Sequence, residues 1–463
     1  MQPRLTVTEV AERVEGPLLF LKRTVDVGLN ESLTVTGADG TERLGRIATL
    51  DDEHMIVEVL DSTSGLGVHG TSVALSGEPL CFDVGPNMLG RVFDGVGRPM
   101  DRQVPIPAAA RLRIDGMTIN PARRALPRDS IETGVTAIDL MNTLVRGQKL
   151  PLFSASGLPH DQLATEIAQR ARIRGEASGN FAVVFVGIGV SHDVSERFRA
   201  SMDESGALDH TLMFLNLAEE SSARRLLTPR YALTAAEYLA FEEGRHVLVI
   251  MTDMTNYCEA LREVSASHGE IPGRKGFPGY MYSDLATLFE RAGCLHGRKG
   301  TLTQLPILTL PGDDIGHPIP DLTGYITEGQ IVLDRGLNRR NLYPPINVLP
   351  SLSRLMDYGI GEGFTHADHP ALASQLYAAY ARTRRVRVLA SVMGEEGLSD
   401  IDRNYLAFGE QFENQLVCQP APRSLEESMA VGWRVLATLP DSELTRLSNQ
   451  QIEANVRGGK SNA

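Results

Sequence analysis

Five continuous apolar runs occupy the middle of the chain, and each has the length of a single buried strand. They cover residues 149–154, 181–187, 211–217, 247–252 and 302–310. The segments between them, at 162–174, 234–243, 255–267 and 283–292, have the pattern of helices. Because strands buried on both faces are apolar at every position, this alternation predicts a parallel α/β sheet covered on both sides by crossover helices.

Two differently patterned regions flank this sheet. Before it, short β-rich runs such as 32–36 and 55–59 alternate with turns at 37–40 and 64–67, which predicts a small β-barrel. After about residue 350, helical periodicity appears at 371–388, 399–416, 425–439 and 441–453, which predicts a helical bundle. We therefore predict three domains in the 463 residues, at 1–74, 75–349 and 350–463.

Charge and cysteine content exclude several classes of protein. The formal net charge is −13, so nucleic acid is not an expected partner. The four cysteines lie far apart without a C-x-x-C pair, which indicates neither a disulfide framework nor a zinc cluster. The N-terminus lacks the pattern of a secretory signal, and the longest apolar stretch, 181–190, is about half as long as a membrane span. We expect a cytoplasmic protein that meets a membrane only through other subunits.

The first apolar run leads into a turn that has the place of a phosphate-binding loop. In G-x-x-x-x-G-K-[ST], backbone N–H groups, a lysine and a hydroxyl hold polyphosphate and magnesium. Here residues 154–161 are SASGLPHD, so Ser154 and Pro159 replace the glycines, His160 the lysine and Asp161 the Ser or Thr. Proline has no N–H to donate, histidine is mostly neutral at pH 7, and a carboxylate repels phosphate. We interpret the segment as a strand-to-helix turn that retains a degenerate phosphate loop.

Two further positions agree with that interpretation. The second run continues as Ile188-Gly189-Val190, where a hydrolytic enzyme needs a carboxylate to orient the attacking water. Asp253 stands at the position of a Walker-B acid, but without a phosphate loop it has no bound metal to serve. We interpret Asp253 as a structural residue that caps the helix from Thr255.

The most specific motif is a proline-stiffened segment that leads to one arginine. Residues 344–353, PPINVLPSLS, fit the signature P-[SAP]-[LIV]-[DNH]-x-x-x-S-x-S of the rotary ATPase α/β superfamily. Three more stretches are similar to that family: GRVFDGVGRPMD at 90–101, PRDSIETGVTAIDLMNTLVRGQKLPLFS at 127–154 and GRKGFPGYMYSDLATLFERAG at 273–293. SGLPHD at 156–161, together with HPIPDLTGYITEGQI at 317–331, resembles the non-catalytic B subunit of V-type and A-type ATPases and ATP synthases. The catalytic A subunit would carry an intact phosphate loop and a large insertion.

This resemblance implies a RecA-like P-loop NTPase core between the barrel and the bundle. It implies a regulatory subunit that alternates with three catalytic A subunits in a hexameric ring around a central rotor shaft, with peripheral stalk subunits as further partners. ATP or ADP with Mg²⁺ would lie at the interface with the catalytic subunit, and none is expected to be bound by this chain alone. The ring would couple ATP synthesis or hydrolysis to ion transport.

The resemblance also implies that Arg354 reaches the nucleotide held by the neighbouring subunit. A guanidinium is planar and permanently charged, so it can fork onto phosphate oxygens. Ser353 and Tyr325 are weaker candidates at the same interface. Tyr343 falls where F-type relatives carry an aromatic residue that packs on adenine, although a role in filling its own pocket fits equally well.

Other polar features have plainer interpretations. His366 and His369 lie before a helix and are interpreted as part of its start, so no metal site is predicted. The basic cluster Arg382, Arg384, Arg385 and Arg387 is interpreted as a solvated or ion-paired helix face. The acidic loop at 394–400 resembles the segment of this family that touches the rotor shaft, and an exposed acidic turn is its alternative.

Two alternative functions stay open at this point. One is a structural ring spacer whose Arg354 never meets nucleotide. The other is an active homohexameric ATPase with an unorthodox phosphate loop, although such relatives would be expected to keep the lysine.

Overall fold

The computed structural model of the protein describes residues 5–8, 11–116, 119–175 and 178–458. The chain divides into two compact units. The first comprises residues 1–121 and 182–291, and the second comprises residues 122–181 and 292–463.

A seven-stranded antiparallel sheet forms the N-terminal part of the first unit. Its strands are β1 (Leu5–Thr8), β2 (Ala11–Glu15), β3 (Leu18–Lys22), β4 (Glu31–Thr36), β5 (Glu42–Leu50), β6 (His54–Val59) and β7 (Ser72–Pro79), in the order β1-β7-β4-β5-β6-β3-β2. Leu33, Val35 and Val57 belong to a core of buried aliphatic side chains under this sheet. The strands predicted at 32–36 and 55–59 are confirmed as β4 and β6.

The five predicted apolar runs are strands. The strands that follow β7 are β8 (Cys81–Val84), β9 (Val92–Asp94), β10 (Ala110–Arg113), β11 (Arg124–Ala125), β12 (Ser130–Glu132), β13 (Leu144–Val145), β14 (Leu152–Ala155), β15 (Arg172–Ile173), β16 (Phe181–Val190), β17 (Thr211–Leu217), β18 (His246–Thr252), β19 (Gly293–Leu295), β20 (Thr301–Leu310), β21 (Gly329–Val332) and β22 (Leu352–Ser353). The predicted runs correspond to β14, β16, β17, β18 and β20.

Helices connect these strands and dominate the C-terminal region. They are α1 (Thr136–Asp139), α2 (His160–Arg170), α3 (His192–Glu204), α4 (Ser222–Glu237), α5 (Met254–Ser267), α6 (Met281–Phe289), α7 (Pro318–Ile326), α8 (Arg335–Arg339), α9 (Met356–Gly359), α10 (His369–Met393), α11 (Asp400–Gln411), α12 (Leu425–Leu436) and α13 (Asn449–Gln451). Single π-helical segments, Tyr238–Glu242, Phe412–Val417 and Ile452–Arg457, extend α4, α11 and α13. Within the described ranges, no helix has both the length and the apolar character that a membrane span needs.

In the first unit, β16 lies between β18 and β17, and β9 extends the row on the far side of β17. The pairs β16–β17 and β17–β9 are parallel. All residues of β18 are buried, and Gly189 is the one residue of β16 that is partly exposed. These strands are therefore covered on both faces, as their uniform apolar sequences predict.

In the second unit, β14 pairs in parallel with both β20 and β21, and β22 pairs antiparallel with β21. The turn that leads from β14 into α2 and the segment that ends in β22 therefore belong to one sheet. The long helix α10 packs against α11 and α12 in the C-terminal region of this unit. This sheet and these helices position the candidate site.

Several predicted helices have different bounds in the structure. The helix predicted at 234–243 begins at Ser222, because the Ser221 side chain accepts a hydrogen bond from the Arg224 N–H and so caps α4. Pro229 lies inside α4, where the burial of the surrounding turns outweighs the lost backbone hydrogen bond.

The helix predicted at 162–174 ends at Arg170, since Arg172 and Ile173 leave it to pair with β12. The helix predicted at 441–453 is divided. A short 3₁₀ turn, Asp441–Glu443, precedes a new start at Ser448, where Ser448 and Gln451 form a capping box.

Candidate functional site

The segment that ends at Arg354 is fixed along the edge strand β21. In the antiparallel pair of β21 and β22, Gly329 faces Ser353 and Gln330 faces Leu352. Upstream, the Asn347 N–H donates to the Val332 carbonyl at 2.9 Å. The backbone before Arg354 is therefore hydrogen-bonded to one strand at several points.

The polar residues of the signature motif close this arrangement. Asn347 Nδ2 donates to Asp334 Oδ2 at 3.0 Å. Ser351 Oγ donates to the Asn347 carbonyl at 2.6 Å and accepts from the Val332 N–H at 3.0 Å. Ser353 Oγ, which is buried, donates to the Thr143 carbonyl at 2.8 Å. Each of these polar positions of the pattern thus has a structural use in shaping the turn before the arginine.

Arg354 itself is exposed. Its backbone N–H donates to the Glu328 carbonyl at 3.0 Å. Within the described residues its guanidinium makes no hydrogen bond or ion pair. It borders an open cavity of about 630 Å³ whose walls include Asn142, Gln330, Asp357 and Tyr377. The structure thus brings Arg354 and Ser353 together at one cavity and leaves the positive charge free.

The two predicted tyrosines have different surroundings. Tyr325, on α7, is 73 % exposed. Tyr343 is partly buried, and burial together with the nearby Glu166 carboxylate raises the pKa of its phenol. Its hydroxyl oxygen is buried without a hydrogen-bond partner within the described chain. Neither tyrosine is among the described residues that line the cavity beside Arg354.

In the turn at 154–161, two backbone N–H groups donate to carbonyls of the same turn. The Leu158 N–H donates to the Ala155 carbonyl at 3.1 Å, and the His160 N–H donates to the Leu158 carbonyl at 2.8 Å. The His160 ring lies back against β14, with Nδ1 3.1 Å from Ser154 Oγ. Pro159 has no N–H.

The Arg335 guanidinium, which contacts this turn, is already bonded to other groups of the chain. Arg335 donates to the Ser156 carbonyl at 3.0 Å, and the same guanidinium forms a two-point ion pair with Asp313 at 2.9 and 3.0 Å. A phosphate-binding loop needs free N–H groups and an unpaired cation aimed into the loop. The turn at 154–161 differs from such a loop in these contacts.

The carboxyl ends of β16 and β18 are occupied by structural contacts. Asn256 Nδ2 donates to the Ile188 carbonyl at 2.9 Å, and the Gly189 N–H donates to Asn216 Oδ1 at 3.0 Å. Asp253 Oδ1 accepts from the Thr255 N–H at 2.8 Å. The prediction that Asp253 caps a helix is confirmed, since it is the N-cap of α5.

The basic residues of α10 are partly ion-paired, as predicted. Arg382 pairs with Glu443 at 2.6 Å, and Arg387 binds both oxygens of the buried Glu413 at 2.6 and 2.9 Å. Burial alone would raise the Glu413 pKa, but hydrogen bonds from Arg387, Arg340 and Tyr380 lower it to about 2. Arg384 and Arg385 are exposed.

The two histidines lie at the start of α10, as predicted. His369 is its first residue, and the His366 ring accepts the Asp368 N–H at 3.1 Å. The described residues contain no cluster of three or more His, Cys, Asp or Glu side chains arranged to hold a metal ion.

Three residues that contact the Arg354 segment were not singled out from the sequence. Gln148 and Lys149 bond to Glu328, Gln148 also bonds to the Ser353 hydroxyl, and the Glu328 carbonyl accepts the Arg354 N–H. The available signal was their place inside two of the stretches similar to the family, GQKL and TEGQI. Their partners are about 180 to 205 positions away in the chain, a relation that a motif does not express.

Family models match most of the chain in three consecutive segments. Residues 12–77 match the beta-barrel domain of the ATP synthase alpha/beta family, and residues 134–353 match its nucleotide-binding domain. Residues 358–456 match the C-terminal domain of V and A type ATP synthase. These matches confirm the predicted fold class of an N-terminal β-barrel, a nucleotide-binding-type α/β core and a helical C-terminal region.

Whole-chain relatives agree with these segments. The chain is 52 % identical over 447 residues to the V-type ATP synthase beta chain of Halothermothrix orenii, covering 96 % of each chain. It is 50 % identical over 455 residues to the B 1 subunit of the A-type ATP synthase of Methanospirillum hungatei, covering 98 % of each. A solved structure, described as a unique ATP synthase subunit from Nanoarcheaum equitans, matches with a TM-score of 0.71 and 35 % identity, over 93 % of this chain and 99 % of that one. The chain therefore belongs to the family of B (beta) subunits of V-type and A-type ATP synthases.

Proposed function

We propose that this chain is the non-catalytic, regulatory B subunit of a rotary ATPase or ATP synthase. It alternates with catalytic A subunits in a hexameric ring and extends Arg354 into the nucleotide site of its neighbour. The observation that carries this proposal is the exposed, unpaired guanidinium at the end of a backbone segment fixed to β21.

The chemistry of arginine suits this role. A guanidinium stays charged at every physiological pH and can donate to two phosphate oxygens at once. A trans arginine of this kind stabilises the negative charge that spreads over the transferred phosphoryl group, an effect of about 10³ to 10⁵ in rate. Because the backbone on both sides of Ser353 is hydrogen-bonded, little ordering is left to occur at each turnover.

The turn at 154–161 supports the non-catalytic part of the proposal. The Leu158 and His160 N–H groups are bonded within the turn, Pro159 has no N–H, and Arg335 is paired with Asp313. ATP or ADP with Mg²⁺ is accordingly the substrate at the interface with the catalytic subunit, and this chain supplies one charge to it. The ring couples ATP synthesis or hydrolysis to ion transport on the cytoplasmic face of the membrane.

The end of α10 supports a contact with the rotor shaft. Val388 is 66 % exposed and Val392 is 80 % exposed, next to the acidic loop at 394–400. An exposed apolar patch beside charged residues is typical of a surface that meets another protein. Peripheral stalk subunits complete the set of proposed partners.

The decisive experiment replaces Arg354 in a ring reconstituted with the catalytic subunit. We expect Arg354→Ala to lower ATP turnover by about 10³-fold or more while the ring still assembles. Arg354→Lys should recover little of the loss, because an ammonium cannot form the two-point contact. Ring assembly is followed by native mass spectrometry and turnover by phosphate release.

Arg197→Ala is the matched control, since Arg197 is another exposed arginine, on α3. Its ring should keep the turnover of the unmodified protein. An assembled Arg354→Ala ring with unchanged turnover would refute the proposal and favour a structural spacer. Hydrolysis of Mg-ATP by the isolated chain would favour an active ATPase with an unorthodox phosphate loop.

A further inference from the structure

A hydrogen bond to the Glu328 carbonyl holds the backbone of Arg354 in place. This carbonyl accepts the Arg354 N–H at 3.0 Å and also Gln148 Nε2 at 3.1 Å. The position of this oxygen therefore determines the direction in which the chain continues after β22. It also determines the place from which the Arg354 side chain extends.

The Gln148 side chain is fully buried and bridges Ser353 to the Glu328 carbonyl. Besides the Glu328 carbonyl, its Nε2 contacts Ser353 Oγ at 3.0 Å, and its Oε1 accepts the Val145 N–H at 3.0 Å. A carbonyl at one end and an N–H at the other leave a single orientation of the side-chain amide that satisfies both. Gln148 thus holds the residue before Arg354 and the carbonyl that accepts the Arg354 N–H in one rigid contact.

Lys149 fixes Glu328 in turn. The Glu328 N–H donates to the Lys149 carbonyl at 3.0 Å, and the Lys149 N–H donates to Glu328 Oε2 at 2.8 Å. The Lys149 ammonium, whose side chain is 7 % exposed, lies 2.9 Å from Glu328 Oε1. Backbone, carboxylate and ammonium together hold Glu328 at three points, so a shift of its carbonyl would strain a partly buried ion pair.

We propose that Gln148, Lys149 and Glu328 are positioning residues for the trans arginine, and that they act on turnover only through Arg354. This inference rests on the proposed function of Arg354. The contacts are made by main-chain atoms and buried side chains behind the arginine, and they set its location within the cavity wall. A displacement of about 1 Å in such a group is enough to lower a rate about 100-fold.

The test is a double-mutant cycle in the reconstituted ring. Gln148→Leu removes both ends of the bridge while keeping an uncharged side chain in the buried site. We expect it to lower kcat about 10- to 100-fold with little change in KM when Arg354 is present. In an Arg354→Ala ring, the same substitution should change kcat by less than about twofold, because no guanidinium remains to be displaced.

Gln375→Leu is the matched control. Gln375 is also a buried glutamine that bridges two backbone groups in the second unit, the Glu443 carbonyl and the Arg446 N–H. Loss of that bridge should lower stability and leave kcat unchanged. Thermal unfolding of each variant separates loss of folded protein from loss of turnover.

Gln148→Glu provides a second variant of the same length. As a carboxylate it cannot donate to the Glu328 carbonyl, whereas the protonated form regains one donor. Burial of position 148 should raise the pKa of this carboxyl above its ordinary value of about 4.3. The kcat of the variant relative to the unmodified ring should therefore be low at pH 8 and rise as the pH falls toward 6.

The outcomes separate this inference from the proposed function. Unchanged turnover in the Arg354→Ala ring would refute both. If Arg354→Ala lowers turnover but Gln148→Leu lowers it by the same factor with and without Arg354, only the positioning inference is refuted. Normal kcat in Gln148→Leu, or in Gln148→Glu at pH 8, would also overturn it.

Discussion

Gly329 shows at the scale of one residue why the turn before Arg354 has the sequence it has. Its φ of +131° lies in a region that side chains rarely adopt. A Cβ there would lie 2.0 Å from the Leu352 carbonyl oxygen and 3.1 Å from the Ser353 Cα. Both neighbours are backbone atoms of β22, so they cannot move aside without breaking the pair of β21 and β22.

We therefore expect Gly329→Ala to separate β22 from β21. The clash and the backbone strain together should lower the free energy of unfolding by roughly 2 to 4 kcal/mol. Because β22 precedes Arg354 directly, turnover of the ring should fall as well. Urea unfolding of the full-length chain measures the first effect, and phosphate release by the reconstituted ring measures the second.

Gly324→Ala is the comparison variant for Gly329→Ala. Gly324 lies within α7, and a Cβ added there meets nothing within 4 Å. Alanine should stabilise the helix by about 0.5 to 1 kcal/mol. Equal stabilities of the two variants would show that the close approach at Gly329 is not a constraint.

His369 illustrates how one element is joined to another. It begins α10, is fully buried, and its Nε2 donates to the carbonyl of Leu140, which follows α1, at 3.0 Å. Its Nδ1 lies 3.1 Å from Thr365 Oγ1. Burial lowers the pKa of the imidazole to about 4, against the opposing effect of the hydrogen bond to Leu140. The folded state therefore holds His369 neutral.

This burial predicts a pH dependence of stability. The unfolded chain binds a proton at His369 near the ordinary imidazole pKa of about 6.5, and the folded chain does so only near 4. Between these values the unfolded state binds more protons, so the stabilisation is complete above pH 6.5 and is lost as the pH falls toward 4, by up to about 3 kcal/mol. Urea unfolding at pH 7.5 and pH 4.5 measures the loss.

His369→Gln should remove this part of the pH dependence, because the amide can still donate to Leu140 and does not titrate. Carboxylates that titrate in the same range contribute equally to both proteins, so the difference between them isolates His369. His192→Gln serves as the control, since His192 is an exposed histidine at the start of α3 and is not among the groups that shift the His369 pKa. The same slope in His369→Gln and the unmodified protein would contradict the prediction.

The sequence predicted strands better than helices for a physical reason. In β18 every position is buried and the five inner positions are apolar, so the apolar run marks the bounds of the strand within a residue or so. Helix ends depend on single hydrogen bonds. The Ser221 and Ser448 caps and the departure of Ile173 to pair with β12 are tertiary or local choices that helical periodicity does not show.

The same distinction holds for the candidate site. The signature motif pointed to Ser353 and Arg354, because the residues that shape the turn are contiguous in the chain. Gln148 and Glu328 are 180 residues apart, and the sequence alone does not say that one donates to the carbonyl of the other. Only the folding of the chain brings these polar groups next to Ser353 and the backbone of Arg354.

Taken as one molecule, the chain has a cation beside an open cavity, but its turn at 154–161 differs from a phosphate-binding loop. The cavity beside Arg354 is open and is bordered by a guanidinium that has no partner among the described residues, whereas the turn at 154–161 has two N–H groups bonded to its own carbonyls. Under the proposed function, such a chain completes a partner's site and does not hold a triphosphate by itself. Its net charge of −13 adds a general repulsion of anions that a binding loop would have to overcome.

Restoring the loop should therefore restore affinity for nucleotide. Pro159→Gly, His160→Lys and Asp161→Thr, combined in the full-length chain, return an N–H, an ammonium and a hydroxyl and remove a carboxylate. With about 1.5 to 3 kcal/mol for each new hydrogen bond to a charged phosphate, we expect Mg-ATP to bind at least about tenfold to a hundredfold more tightly. Isothermal titration calorimetry with ATP and ADP measures the change.

His192→Lys, which places the same ammonium in the first turn of α3, should leave affinity unaltered. The contrary result would be tight binding of Mg-ATP by the unmodified chain and a loss of affinity on the triple substitution. That result would show that the turn binds nucleotide in a way that its hydrogen bonds do not reveal.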